Sequence, residues 1–177
     1  MKNKIIGAAC VLAVVFSGCG YTTRSALPAR LKTVHVEPFK NSMDYTTATG
    51  DRSVYFPLLE MKVREAVIDR FLFDGNLRVV SDADDADLIL KGDLVDYRRN
   101  PLRYTDDDDV QEYRVQVITK LELLETQSSE PLWKSGRFIG QATYFLTGAQ
   151  ASSEENAVYE AVDDLARRIV ERTIENW

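Results

Sequence analysis

From Tyr113 to Leu124 the chain alternates with a period of two. Tyr113, Val115, Val117, Leu121 and Leu123 are apolar, and Arg114, Gln116, Lys120 and Glu122 between them are polar. That period sends successive side chains to opposite faces of a β-strand. The stretch is longer than an average strand, which predicts a ribbon protruding from a compact body. Thr33–Glu37 alternates in the same way, with Val34 and Val36 inward and His35 outward; Pro38 ends it or sets it near a sheet edge. Leu77–Val80 reads as a short strand, and Leu88–Tyr97 as a strand with Leu88, Leu90 and Leu94 on one face. Leu132–Phe145 supplies another extended segment, broken at Gly136 and Gly140. The intervening Lys40–Ser53, Ser81–Asp87, Arg98–Val110 and Thr126–Pro131 are polar and read as loops or turns.

Two segments carry helical spacing instead. The first begins near Phe56–Pro57, where proline suits a first turn. Its stripe is Leu59, Val63, Ala66, Val67 and Arg70, widened by Leu58 and Phe71, and Asp74-Gly75-Asn76 stops it. The second is introduced by Ser152 and Glu155 as a capping box. Val158, Ala161, Val162, Leu165, Ile169 and Thr173 form its apolar stripe. Acidic residues sit early in it and Arg167, Arg168 and Arg172 late, which complements the helix macrodipole. These elements predict an α+β fold: a two-layer sandwich with two helices packed on a largely antiparallel sheet of about four strands.

The N-terminus has a pattern of its own. Lys2 and Lys4 precede the apolar run Ile5–Phe16, and Ser17-Gly18-Cys19 follows. The run is too short to span a bilayer as a mature helix and resembles a secretory signal. Small residues before a cysteine suit cleavage and acylation of that thiol; an ordinary secreted protein with a chance cysteine is the alternative. The expected organisation is a lipoprotein-type signal over residues 1–18, a lipidated tether over 19–32 beginning at Cys19, and one domain over 33–177. Two or more acyl chains hold a protein on a membrane where one is marginal. Gly20 after the cysteine, where aspartate would favour the inner membrane, points to the outer membrane with the domain facing the periplasm.

Composition narrows the chemistry. Without Lys2 and Lys4 the 22 basic residues become 20 against 28 acidic ones, a net charge of −8 for the mature chain. That balance argues against general nucleic-acid binding. Cys19 is the only cysteine outside the signal, and His35 is the only histidine, so no disulfide and no Cys/His zinc site is expected. His35 alternates outward, and no serine sits in a glycine-flanked elbow, so no hydrolytic triad is assembled. The scattered glycines form no phosphate loop. The reading is a protein that is not an enzyme, with no cofactor and no metal.

Two charged clusters remain. Asp106-Asp107-Asp108-Asp109 offers hard oxygen ligands for a divalent cation, yet lacks the spaced ligands and turn glycine of a calcium loop; a solvated loop tip is the plainer alternative. Arg98, Arg99 and Arg103 flank Asn100-Pro101-Leu102 at one end of the long strands. Guanidinium forks match phosphate oxygens, so these three are candidates to bind a lipid phosphate; pairing with the nearby aspartates is the alternative. Lys134 and Arg137 are further candidates for such a site. Tyr97, Tyr104 and the outward-facing Ile118 suggest a partner-facing surface, or core packing.

Several ordered motifs resemble the lipopolysaccharide-assembly lipoprotein (LptE) family. These are Cys19-Gly20-Tyr21, Leu27-Pro28, Val34–Asn41, Asp74–Val80, Ala86–Gly92, Glu112–Val115 and a near-terminal helix ending in Trp177. The resemblance implies two helices on a four-stranded sheet, inserted as a plug in the outer-membrane β-barrel LptD. It implies help in assembling that barrel and in delivering lipopolysaccharide, with basic residues at one end taking the phosphates. The implied partners are an LptD-like barrel, lipopolysaccharide and the membrane. An Ala-Asp-Leu-x-Leu-x-Gly strand also occurs in curli-pore-like and TolB-like lipoproteins. The alternative is therefore an accessory of another secretion pore or envelope complex; a lone periplasmic lipid carrier is a third.

Overall fold

A computed structural model describes residues 27–43, 56–128 and 130–175. The signal, Cys19, the start of the tether, most of the Lys40–Ser53 loop and Trp177 lie outside the described residues. The elements are β1 (Thr33–Val36), β2 (Lys40–Asn41), α1 (Leu59–Asp74), β3 (Arg78–Val79), β4 (Leu88–Tyr104), β5 (Val110–Glu125), β6 (Pro131–Phe145) and α2 (Glu154–Glu175).

The fold is α+β with both helices against the sheet, but that sheet has six strands, not about four, and it is mixed. Its order is β3-β1-β4-β5-β6, with β2 also beside β4. β1 runs parallel to β3 and to β4, and β2 runs parallel to β4. The reason lies in the connections. α1 carries the chain back along the sheet between β1 and β3, and such a crossover returns it in the same direction. The two tight hairpins among β4, β5 and β6 give the antiparallel part.

β4 continues to Tyr104, through residues expected to be a loop. Its ladder with β5 pairs Arg98 with Gln116, Asn100 with Arg114 and Pro101 with Tyr113. Pairing with β5 makes this polar end a strand, and it has no apolar alternation to announce it. The register slips between Leu94 and Asp96, leaving Val95 as a bulge. One extra residue exchanges the two faces. Leu88, Leu90 and Leu94 face the helices before the bulge, and Tyr97 does so after it. β6 is likewise one strand across Gly136 and Gly140, with register shifts opposite Thr119–Leu121, where Gly136 and Arg137 lie, and opposite Leu123–Leu124.

α1 buries Leu59, Val63, Val67 and Phe71 at i, i+4 spacing. Leu58, expected to widen that stripe, lies instead in the left-handed region (φ 60°) and is exposed. Gly75 (φ 75°) closes the helix by donating its N–H to the Phe71 carbonyl at 3.1 Å. In α2 the cap is Ser153, whose Oγ accepts the Asn156 N–H at 3.2 Å; the expected Ser152–Glu155 box does not form. Ser152 donates its N–H to the Phe145 carbonyl.

α2 rests directly on the sheet at Gly140. A methyl group there would overlap the Ala161 carbonyl and Leu165. Arg168 Nη1 donates to the Ile139 carbonyl at 2.7 Å, and the Gln141 N–H donates to Asp164 Oδ2 at 3.1 Å. These bonds occupy part of the outer edge of β6, which would otherwise offer unpaired backbone groups to another strand. The opposite face of the sheet carries no helix among the described residues. On it Lys91 pairs with Glu37 at 3.3 Å and Lys134 with Glu122 at 2.8 Å.

Candidate functional site

The long β4–β5 hairpin and the first turn of α2 bring most of the sequence-predicted arginines into one region. They do not share a face. Arg99 lies on the helix side, where its Nη1 donates to Glu154 Oε2 at 2.7 Å. The Tyr97 hydroxyl donates to Glu154 Oε1 at 2.7 Å, and the Tyr144 hydroxyl reaches Oε2 at 3.4 Å. The Arg99 guanidinium stands over the Tyr113 ring at 4.8 Å, and Tyr113 stacks on Tyr144 with centroids 5.7 Å apart. Phe56 closes the cluster against Tyr97 at 5.1 Å.

Burial pushes the Tyr97 hydroxyl well above the usual phenol range, and the hydrogen bond to Glu154 adds to it. Burial also raises Tyr144, with the Glu154 charge second. Both phenols therefore stay protonated at neutral pH. Glu154, at the start of α2, also meets the positive end of the helix dipole. The arrangement is a polar anchor between hairpin and helix.

Arg98 and Arg103 are on the open face, opposite Gln116 and Glu112. Arg98 Nε is held by Asp96 Oδ2 at 2.6 Å. Arg103 is loosely paired, 3.7 Å from Glu112 Oε2 and 5.8 Å from the Phe145 ring, with its side chain 61% exposed. Arg114 shares that face between them, opposite Asn100 and Thr143, and pairs with no carboxylate among the described residues. Sequence reasoning passed over Arg114 as an ordinary outward residue. The register shift between Pro101 and Arg103, which puts Arg103 on the face of Arg98 and Arg114, has no signal in the sequence.

The other candidates separate. Lys134 pairs with Glu122, ten residues along β5 from Glu112, or about 33 Å by strand rise. It does not converge with the arginines, and Arg137 follows it on β6. Tyr97 is only 4% exposed and Ile118 is buried, so neither joins Tyr104 in a partner-facing surface. The Val95 bulge turned Tyr97 inward, and Ile118 is covered on the open face between Asp96 and Ile139. Asp106–Asp109 form the exposed hairpin tip, where the Thr105 N–H donates to the Asp109 carbonyl at 2.8 Å and Asp108 has φ 63°. Among the described residues no three His, Cys, Asp or Glu side chains are grouped to hold a metal ion. His35 Nδ1 lies 3.1 Å from the Val80 carbonyl, at the β1–β3 edge.

The sequence model of the LptE family, described as lipopolysaccharide-assembly, matches residues 31–173. The chain belongs to this family. The match takes in nearly all of the two-layer body and both sides of the hairpin. No curated protein sequence gives a significant match. Among solved structures, a hypothetical protein of Chlamydia trachomatis is 11% identical with a TM-score of 0.53, covering 81% of this chain and 95% of that one. The PelC dodecamer of Paraburkholderia phytofirmans is 16% identical with a TM-score of 0.51, covering 86% and 96%. A minor lipoprotein of Acinetobacter baumannii is 14% identical with a TM-score of 0.50, covering 81% and 92%. At these identities the likeness is one of fold. This LptE-family chain has, among its described residues, no helix long and apolar enough to cross a membrane.

Proposed function

We infer that this LptE-family protein is an outer-membrane lipoprotein, anchored through acylated Cys19, that plugs an LptD-like β-barrel, assists its assembly and helps deliver lipopolysaccharide to the outer leaflet. The observation that carries the reading is the family match over residues 31–173, nearly the full folded body. The architecture supports it. β4, β5 and β6 form a slab of 17, 16 and 15 residues, stiffened on one side by two helices and polar on the other. A polar face of that kind suits the polar interior of a large barrel. The protein works by fit and by local concentration at the membrane, without catalysing a reaction.

Lipopolysaccharide phosphates would be met at the hairpin by Arg103 and Arg114, with Arg98 beside them. Arg99 holds the hairpin to α2. The exposed aspartates at the tip oppose an anionic lipid, so binding there gains from a bridging divalent cation.

Affinity purification of the lipidated protein tests the assignment. The expected result is an LptD-like barrel recovered one-to-one, and a mass for the mature N-terminus that includes acyl chains on Cys19. Recovery of a multisubunit secretion ring, or of the protein alone with unaltered surface lipopolysaccharide after its depletion, would overturn it.

A further inference from the structure

The described chain begins at one end of the slab and is fastened there. The Leu31 N–H donates to the Pro28 carbonyl at 2.9 Å, and the Lys32 and Thr33 N–H groups donate to Asp87 Oδ2 at 2.8 and 3.0 Å. Arg30 pairs with Glu125, the last residue of β5. The same end receives the C-terminus of α1. Five residues after Phe73 the chain enters β3, whose Arg78 lies opposite Thr33.

Phe73 is 80% exposed and Leu72 61% exposed, the two highest values among the large apolar side chains of the described residues. They are not needed by the core, since Phe71 and Leu77 on either side fill it. The Arg70 guanidinium stands over the Phe73 ring at 5.2 Å. An aromatic ring with a cationic group above it suits the boundary between headgroups and acyl chains, where the ring is buried and the charge stays wet.

Chain length decides what meets this knuckle. Cys19 precedes Leu27 by eight residues, and a fully extended chain gains at most ~3.5 Å per residue, so their separation cannot exceed about 28 Å. The far hairpin tip is a whole β4 away, roughly 56 Å for its 17 residues, and bears four aspartates. A bilayer holding the thiol therefore lies nearer the end of the slab that carries Leu72 and Phe73 than the acidic tip at its far end.

We propose that Leu72 and Phe73 form a membrane-contact site, seated in the headgroup region of the phospholipid leaflet that holds the acyl chains of Cys19. The proposal rests on the lipid anchor inferred above. Two side chains do not anchor a protein by themselves; they seat the tethered end of the slab against the leaflet.

The test uses the mature lipidated protein with a polarity-sensitive fluorophore on Asn76→Cys, adjacent to the intact knuckle. Acylated Cys19 leaves this the sole free thiol. In vesicles of phosphatidylethanolamine and phosphatidylglycerol carrying a nitroxide on the acyl chains, the reporter's emission is quenched. Quenching is lost when Leu72→Ser and Phe73→Ser are added, and a reporter at Leu102→Cys on the hairpin stays unquenched throughout. An unquenched Asn76 reporter on acylated protein overturns the proposal and leaves the anchor standing, as does quenching that the two serines do not change. Shielding seen only when the barrel partner is added also overturns it and assigns the knuckle to protein. A mass showing Cys19 unacylated overturns both readings.

Discussion

Arg99 in β4 and Glu154 in the first turn of α2 meet at 2.7 Å, although 55 residues separate them. Both side chains are about four-fifths buried, and two tyrosine hydroxyls share the carboxylate. Removing one member leaves the others desolvated and short of a partner, which costs more than the net gain of making the contact. Glu154→Ala should therefore destabilise the fold by about 2 kcal/mol. Urea or thermal unfolding reads the change, expected as a fall of roughly 5 °C in Tm. A variant as stable as the parent would show that the anchor contributes nothing.

The same cluster predicts an alkaline limit to stability. Burial holds Tyr97 and Tyr144 protonated in the folded state, above the usual value of 10.0 that applies once the chain unfolds. Above that pH, unfolding releases protons, so the folded state is progressively disfavoured. The stabilisation is fully present below about pH 10 and declines as pH rises towards the folded values. Urea midpoints measured from pH 8 to 11 should fall above pH 10. Tyr97→Phe should flatten that fall while lowering stability at neutral pH through the lost bond to Glu154. A pH dependence identical in parent and variant would contradict the assignment.

The sequence announced this fold wherever burial is one-sided. Val115, Val117, Leu121 and Leu123 declare β5, and the α2 stripe from Val158 to Ile169 declares its helix, because a core-facing residue must recur at the period of its element. The end of the hairpin is different. Arg98 to Tyr104 is polar on both faces, and only pairing with β5 makes it a strand. β2 is two exposed residues, with no pattern to carry it. The parallel pairing of β1 depends on which strands the α1 crossover brings together, a long-range choice that local periodicity does not encode. At the candidate site, the arginines were visible as residue types. Which of them faces the helices was set by the Val95 bulge, which turned Arg99 towards Glu154, and a second register shift between Pro101 and Arg103 put Arg103 on the face of Arg98 and Arg114.

Gly140 offers a test of the contact between α2 and the sheet. A Cβ at this position would collide with the Ala161 carbonyl and Leu165, whereas one at Gly136 meets nothing within 4 Å. Gly140→Ala should cost about 1–3 kcal/mol, the usual range for overpacking a core. Gly136→Ala on the same strand should leave stability within about 0.5 kcal/mol of the parent. Equal effects of the two substitutions in denaturant unfolding would mean that the helix does not sit on β6 as described.

Lipid recognition can be separated from stability on the open face of the hairpin. Arg103 is loosely paired and exposed, and Arg114 beside it has no carboxylate partner among the described residues, so both guanidinium groups are free to meet phosphate. Arg98 is held by Asp96 and contributes less. Solvent-exposed contacts are individually weak, but reversing charge replaces each attraction by repulsion. Arg103→Glu combined with Arg114→Glu should weaken binding of purified lipopolysaccharide about tenfold or more, equivalent to about 1.4 kcal/mol. The unfolding midpoint should hardly change, because neither residue supports the core. Raising the salt concentration should narrow the difference between parent and variant, as screening removes attraction and repulsion alike. Unchanged affinity in a direct titration would remove the hairpin from the lipid-binding surface. A large loss of folding stability alongside weaker binding would show instead that these arginines hold the hairpin together.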